Sequence, residues 1–216
     1  MKATLIEISV VESDPSKWQI QVEDGSNAYC ITEENPDGEV YAILNTERYE
    51  NFVYELDAKA TESATNRGFN ILFSVQDFSS AIVTGYYVQF LPGGVKLFES
   101  VSPDGVEIAS NGGNFVALNT YRHIKVVRQY PNIKVYVDDV LIIDVDGTRS
   151  ELRSGFIGIA ARKTTACFDN ISVYSVGSYF EDFRDGVADS WSESDPSKWQ
   201  IQVSVDQLGW AEFHRK

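Results

Sequence analysis

The sequence predicts an all-β protein, an antiparallel β-sandwich or jelly roll. Three observations predict it. Roughly a dozen apolar or alternating runs follow one another at short spacing. Clusters of Gly, Pro, Asn and Asp punctuate them, and no run carries a convincing helical period.

Taken in order, residues 4–11 form an apolar, β-branched run, and Asp14-Pro15-Ser16 is a turn signal. Residues 17–22 alternate, with Trp18, Ile20 and Val22 on one face and Gln19 and Gln21 on the other. Asp24-Gly25 marks a hairpin turn before the runs 28–32 and 39–44, which the turn 35–38 separates. Residues 52–60 alternate most cleanly: Phe52, Tyr54, Leu56 and Ala58 face one way, and Val53, Glu55, Asp57 and Lys59 the other. Strands follow at 68–75, 85–91, 95–101 and 106–109, with turns at Pro92-Gly93-Gly94 and Pro103-Asp104-Gly105. The series ends with 121–128, 133–137, 140–145, 155–161 and 166–176.

The bulk properties narrow the function. The chain has 216 residues, enough for one large β-domain or two small ones, and 43% are hydrophobic, which supplies a sizeable core. Aromatics reach 12%, which suits β-sheets or a carbohydrate-facing surface. A formal net charge of −14 disfavours nucleic-acid and anionic-membrane partners. No apolar run approaches the ~18 residues that span a bilayer. Glu7 interrupts the first apolar run, which argues against a signal peptide there. Cys30 and Cys167 both lie in strand-like runs. Packing favours two buried thiols, and a disulfide is the other reading. His123 and His214 lie far apart, and no Cys/His cluster has zinc spacing.

One feature of the organisation stands out. Residues 193–203, Glu-Ser-Asp-Pro-Ser-Lys-Trp-Gln-Ile-Gln-Val, repeat residues 12–22 letter for letter. The lead-ins to the two copies differ, and so do the residues after them.

The order of motifs resembles the concanavalin A-like jelly roll over residues 17–191. The motifs are Asn51-Phe-Val-Tyr-Glu-Leu-Asp-Ala, Gly68-Phe-Asn-Ile-Leu-Phe, Gly85-Tyr-Tyr-Val-Gln-Phe and Asn119-Thr-Tyr-Arg-His-Ile-Lys-Val. Ile133-Lys-Val-Tyr-Val-Asp-Asp-Val-Leu-Ile, Gly155-Phe-Ile-Gly-Ile and Phe168-Asp-Asn-Ile-Ser-Val complete the series. The pattern is similar to laminin-G-like and glycan-associated modules attached to extracellular glycoside hydrolases, including levan- and inulin-binding modules. The family's opening, a Phe-x-Asp-Phe strand, a Gly and a Trp, matches Phe180-Glu181-Asp182-Phe183, Gly186 and Trp191 near the C-terminus.

The resemblance therefore implies a jelly-roll domain over 1–191, with 179–191 as its displaced opening strand. Residues 192–216 then hold the partial repeat and a tail. The opening strand would complete its own sheet, in a circularly permuted order, or that of a second molecule, giving a monomer or a strand-swapped dimer. A tandem array of such domains is the other organisation that accounts for it.

Catalytic signals are weak. Family 16 glycoside hydrolases share this fold and use Glu-x-Asp-x-x-Glu on one strand. Here Glu55 and Asp57 match the first pair, but the third position is Ala60 or Thr61, and Glu62 comes too late. No Gly-x-Ser-x-Gly elbow or phosphate loop is present.

A binding face is the better expectation, because sugars are held by aromatic stacking and by hydrogen bonds from carboxylates, amides and guanidinium groups. The candidates are Glu55 and Asp57 with Tyr87 and Gln89 as outward residues on the same side, joined by Gln76 and Arg162. The resemblance also implies a structural Ca²⁺, for which Asp169, with Glu181 or Asp182, would supply oxygen ligands.

The function read from the sequence is a non-catalytic, lectin-like module binding an oligosaccharide or polysaccharide. It would belong to a larger extracellular or cell-surface protein whose signal lies outside this chain. A glycan hydrolase of the same fold and a structural or adhesion repeat are the alternatives.

Overall fold

The computed structural model describes residues 10–23, 25–35, 38–61, 68–78, 83–101, 105–115, 118–147 and 149–176, together with the backbone of strands 199–202 and 212–215. It divides into two units, 1–176 and 177–216.

Among the described residues, the first unit holds fourteen strands. They are β1 (Val10–Glu12), β2 (Trp18–Glu23), β3 (Ser26–Ile31), β4 (Glu39–Tyr49), β5 (Phe52–Ala60), β6 (Gly68–Asp77) and β7 (Thr84–Leu91). β8 (Gly94–Ser100), β9 (Val106–Gly112), β10 (Arg122–Gln129), β11 (Asn132–Val137), β12 (Val140–Asp146), β13 (Gly155–Arg162) and β14 (Ala166–Ser175) follow. No α-helix occurs among the described residues; one-turn 3₁₀ segments lie at Pro15–Lys17 and Ser150–Leu152. In the second unit, β15 (Trp199–Gln202) pairs antiparallel with β16 (Glu212–Arg215).

Two seven-stranded antiparallel sheets face each other. Sheet I runs β1-β4-β13-β6-β7-β8-β9, and sheet II runs β12-β11-β10-β5-β14-β3-β2. This is the sandwich that the spacing of short strands predicts. The alternation in β5 places its residues as expected: Phe52, Tyr54, Leu56 and Ala58 are buried, while Val53, Glu55 and Asp57 are only half-buried. Lys59 departs from that pattern. It lies at 7% exposure, with its ammonium 4.7 Å from the centre of the Tyr121 ring.

Aromatic rings fill the space between the sheets. Phe52 of sheet II meets Phe73 of sheet I edge-on at 5.9 Å, and Phe168 meets Phe69 edge-on at 6.0 Å. Within sheet I, Phe69 stacks on Phe90 and Phe73 on Tyr86. Edge-to-face contact across the gap and offset stacking along a sheet are the two arrangements that ring quadrupoles favour.

A polar network crosses one part of this core. Arg128 of β10 is fully buried, lies against the Tyr86 ring and donates from Nη1 to the Pro131 carbonyl at 2.7 Å. The Tyr86 hydroxyl donates to Glu99 at 2.9 Å, and Arg149 Nε donates to the other Glu99 oxygen at 2.9 Å.

The cysteines correct the sequence reading. Cys30 and Cys167 are not free thiols but a disulfide. The reason is topological: β3 and β14 are neighbours, and these two residues stand directly opposite each other with Cα atoms 4.1 Å apart. The bridge closes a sequence separation of 137 residues, so it constrains the unfolded chain strongly. Reduction, or the Cys30→Ser/Cys167→Ser pair, is expected to cost about 2–5 kcal/mol. Urea unfolding with and without reductant measures it, and an unchanged midpoint would rule out a stabilising bridge.

Candidate functional site

Each sheet has an outward face, and the two outward faces lie on opposite sides of the sandwich. Tyr54 and Leu56 of β5 and Tyr86 and Val88 of β7 point into the same core. Their neighbours Glu55 and Asp57, and Tyr87 and Gln89, therefore point away from each other. The expectation that these four share one side is corrected here. β5 belongs to sheet II and β7 to sheet I.

On sheet II, the carboxylates already have partners. Asp57 sits 2.9 Å from His123 Nδ1 and accepts from Asn170 Nδ2 at 2.7 Å. Glu55 faces Lys125 at 3.6 Å, and the Lys125 ammonium lies 5.2 Å from the centre of the Tyr136 ring. Asp169 accepts from the Ser26 hydroxyl and from the Asn170 backbone amide. Glu181 and Asp182, the other expected calcium ligands, lie outside the described residues. Among the described residues, no group of three or more His, Cys, Asp or Glu is placed to hold a metal ion.

On sheet I, the outward face divides in two. One part is apolar: Tyr41, Ile43, Leu72, Val75 and Ala160 cluster there with Phe78, Val83, Phe156 and, at its border with the polar part, Tyr87. The other part is a polar stretch that occupies two adjacent rows and reaches six strands. Arg162 of β13 stands opposite Glu39 of β4. In the next row Asn70 of β6 stands opposite Gln89 of β7, Gln89 opposite Lys96 of β8, and Lys96 opposite Ser110 of β9. Asn70 Nδ2 donates to Glu39 at 2.7 Å, and Lys96 pairs with Glu107 at 2.8 Å. Tyr87 lies one row on, stacked against Phe98 with centroids 4.8 Å apart.

Glycines keep this surface low. A side chain at Gly68, opposite Arg162, would place its Cβ 1.8 Å from the Phe90 carbonyl. Gly94 stands opposite Leu91 and Gly112, and these residues line a shallow hollow of about 220 Å³ with Lys96 and Ser110. Gly105 lies against the Tyr87 hydroxyl from the side.

The electrostatics centre on Glu39. Burial pushes its carboxyl above the usual 4.5, and the Asn70 hydrogen bond and the Arg162 charge pull against that rise. Tyr87 is also raised, first by burial and then by the Glu39 charge, with Arg162 opposing.

Of the expected ligand residues, Tyr87, Gln89 and Arg162 therefore come together. Gln76 lies on sheet I but elsewhere, held by Arg48 and by the Ser74 and Ser154 carbonyls. Glu39 and Asn70 are additions. Asn70 carried a signal, as a single amide inside the apolar run 68–75.

A profile described as the 3-keto-alpha-glucoside-1,2-lyase-like domain matches residues 8–174. The chain belongs to that family. Solved structures share its fold. The carbohydrate-binding module CBM66 from Bacillus subtilis aligns with a TM-score of 0.64 at 19% identity, covering 77% of this chain and 95% of its own. A Bacillus subtilis protein of unknown function with a galectin-like fold aligns at 0.59 and 10% identity, covering 77% and 89%. A putative glycosyl hydrolase from Parabacteroides distasonis aligns at 0.54 and 15% identity, covering 77% and 93%. No curated protein matches the sequence. The lyase-like domain is thus a concanavalin A-like sandwich, as the motif order implies.

The position of Glu39 in this lyase-like domain has a measurable consequence. An acid that holds its proton more tightly when folded makes the fold lose stability as the pH rises through its titration. Glu39→Gln removes that loss. The variant is expected to unfold at higher urea than the parent at pH 7 and at the same urea at pH 4. A variant weaker than the parent at pH 7 would refute a desolvated carboxylate.

Proposed function

We propose that the protein binds an oligosaccharide or polysaccharide across the outer face of sheet I, without cleaving it, as an extracellular module of a larger protein. The observation that carries this reading is the polar stretch Glu39, Arg162, Asn70, Gln89 and Lys96 beside the Tyr87–Phe98 stack. A sugar presents hydroxyls around its rim and C–H groups on its faces. The stretch supplies acceptors and donors for the first, and the tyrosine ring supplies a surface for the second.

Family membership supports a carbohydrate-related role, and CBM66 is by its title a carbohydrate-binding module. On sheet II, both candidate carboxylates, Asp57 and Glu55, are engaged by His123, Asn170 and Lys125, and on sheet I Glu39 and Lys96 are engaged by Asn70 and Glu107; what sets sheet I apart is the Tyr87–Phe98 stack beside its polar residues. The disulfide supports an oxidising, extracellular setting.

One observation favours a second reading, in which the same face performs the chemistry named by the family. A 1,2-lyase acting on a 3-keto glucoside must remove the proton at C2, which the adjacent ketone acidifies. The C1–O bond then breaks as the C1–C2 double bond forms. Glu39, its carboxyl raised by burial and flanked by Arg162, has the character of a general base for that step.

Titration calorimetry against a panel of glycans tests the binding reading. Tyr87→Ala and Arg162→Ala are expected to weaken the best ligand about tenfold or more, a loss of ~1.4 kcal/mol. Glu55→Ala, on the opposite face, is expected to leave affinity unchanged. A loss confined to Glu55→Ala would move the site to sheet II. Release of the leaving alcohol from a 3-keto glucoside, abolished by Glu39→Gln, would establish the lyase instead.

A further inference from the structure

Residues 12–22 act as a strap between the two sheets. Glu12 ends β1, opposite Ala42 in sheet I, and accepts from the Tyr29 hydroxyl of sheet II. Ser13 exchanges two hydrogen bonds with the Tyr41 backbone, each 3.0 Å. Asp14 caps the 3₁₀ turn by accepting from the Ser16 amide at 3.2 Å and from its hydroxyl at 2.6 Å. Lys17 donates from Nζ to the Glu34 carbonyl at 3.1 Å, and its own carbonyl accepts from Thr32 N at 2.9 Å. Trp18 is 6% exposed and stacks on Tyr29 at 4.6 Å. The remaining residues pair with β3, Val22 opposite Asn27.

Every one of these contacts is made by a residue that residues 193–203 also contain, in the same order. The chain therefore carries one socket and two segments with the side chains to fill it. A second observation agrees. The four letters Trp-Gln-Ile-Gln are a strand in both places, β2 and β15, against different partners. In the single chain the socket holds residues 12–22, while β15 pairs with β16. Residues 193–203 thus match by sequence a socket that residues 12–22 fill on the same chain.

We propose that the socket formed by β3, the Tyr29 ring and the Tyr41 backbone also accepts residues 193–203 of a second copy of this chain, linking copies by strand exchange. β2 suits exchange. It is the edge of sheet II, paired with β3 alone, and beyond Trp18 its apolar side chains lie open, with Ile20 and Val22 at 66% and 76% exposure. Because the incoming segment is identical, the hydrogen bonds and ring contacts of the socket are remade. What opposes the exchange is the loss of the β15–β16 pairing in the donor and the tether of the resident strap, which sets an effective concentration of about millimolar. Exchange therefore grows with protein concentration and with any weakening of the resident strap.

Two chains of different mass, each with one added cysteine beside the Cys30–Cys167 bridge, test this, because neither has a second added cysteine of its own to join. Asn27→Cys marks the socket and Val203→Cys marks the incoming segment. Asn27 is exposed, so the fold tolerates the change. After mild oxidation of the mixture, the mixed dimer is expected to exceed both like-with-like dimers at least tenfold. It should increase with concentration and disappear when the Val203→Cys chain also carries Trp199→Ala. Trp18→Ala in the Asn27→Cys chain is expected to increase it further, because the resident strap loses its buried ring. Mixed dimers no more abundant than the like-with-like species would overturn the proposal. So would mixed dimers indifferent to Trp199→Ala.

Discussion

Phe52 edge-on to Phe73, and Phe168 edge-on to Phe69, lock the two sheets together, and the placement of every other group follows from that contact. Rings of this size fix the spacing of the layers at roughly 10 Å and leave one rotational setting in which they interdigitate. Once the inward residues of β5 and β7 are committed to this gap, their neighbours must face solvent on opposite sides. A binding surface on this protein is thus a property of one sheet, built from residues that are adjacent across strands and not along them.

The two outer faces have been used differently. On sheet II, Asp57 is engaged by His123 and Asn170, and Glu55 by Lys125. On sheet I, part of the face is sealed by an apolar cluster, and the rest keeps amides, a guanidinium and a carboxylate in two adjacent rows. Placing Glu39 beside buried Asn70 costs solvation, and the raised carboxyl records that cost. Such a cost at the surface of a sheet is characteristic of positions that meet a ligand.

The strand pattern made the architecture legible. Alternation in residues 52–60 and 85–91 assigned inward and outward residues correctly, with Tyr86, Val88 and Phe90 fully buried. Alternation says which way a side chain points but not which sheet its strand joins, so Tyr87 and Gln89 could not be separated from Glu55 and Asp57. Strand order comes from pairings between distant segments. The disulfide was hidden for the same reason, since only the adjacency of β3 and β14 brings Cys30 to Cys167. The register shift in β14 between Asp169 and Ser172 was also invisible, and Asn170 at φ 50° turns there to reach Asp57. Arg162 and Gln89 were found because polar residues at strand ends and at outward positions are conspicuous. Glu39 was passed over because a charged residue at the start of a strand has an ordinary solvated reading.

The bridge between β3 and β14 also bears on resistance to proteolysis. Proteases attack chains at accessible loops, and a cut normally frees a fragment that drifts away. Here, a cut at any peptide bond between residues 30 and 167 leaves two pieces still joined by a covalent clasp. For a cut between β5 and β13 both pieces also stay paired in each sheet, because β13 lies between β4 and β6, and β14 between β5 and β3. A nicked molecule would keep its composition and much of its shape, and so its surface, long after its backbone had ceased to be continuous.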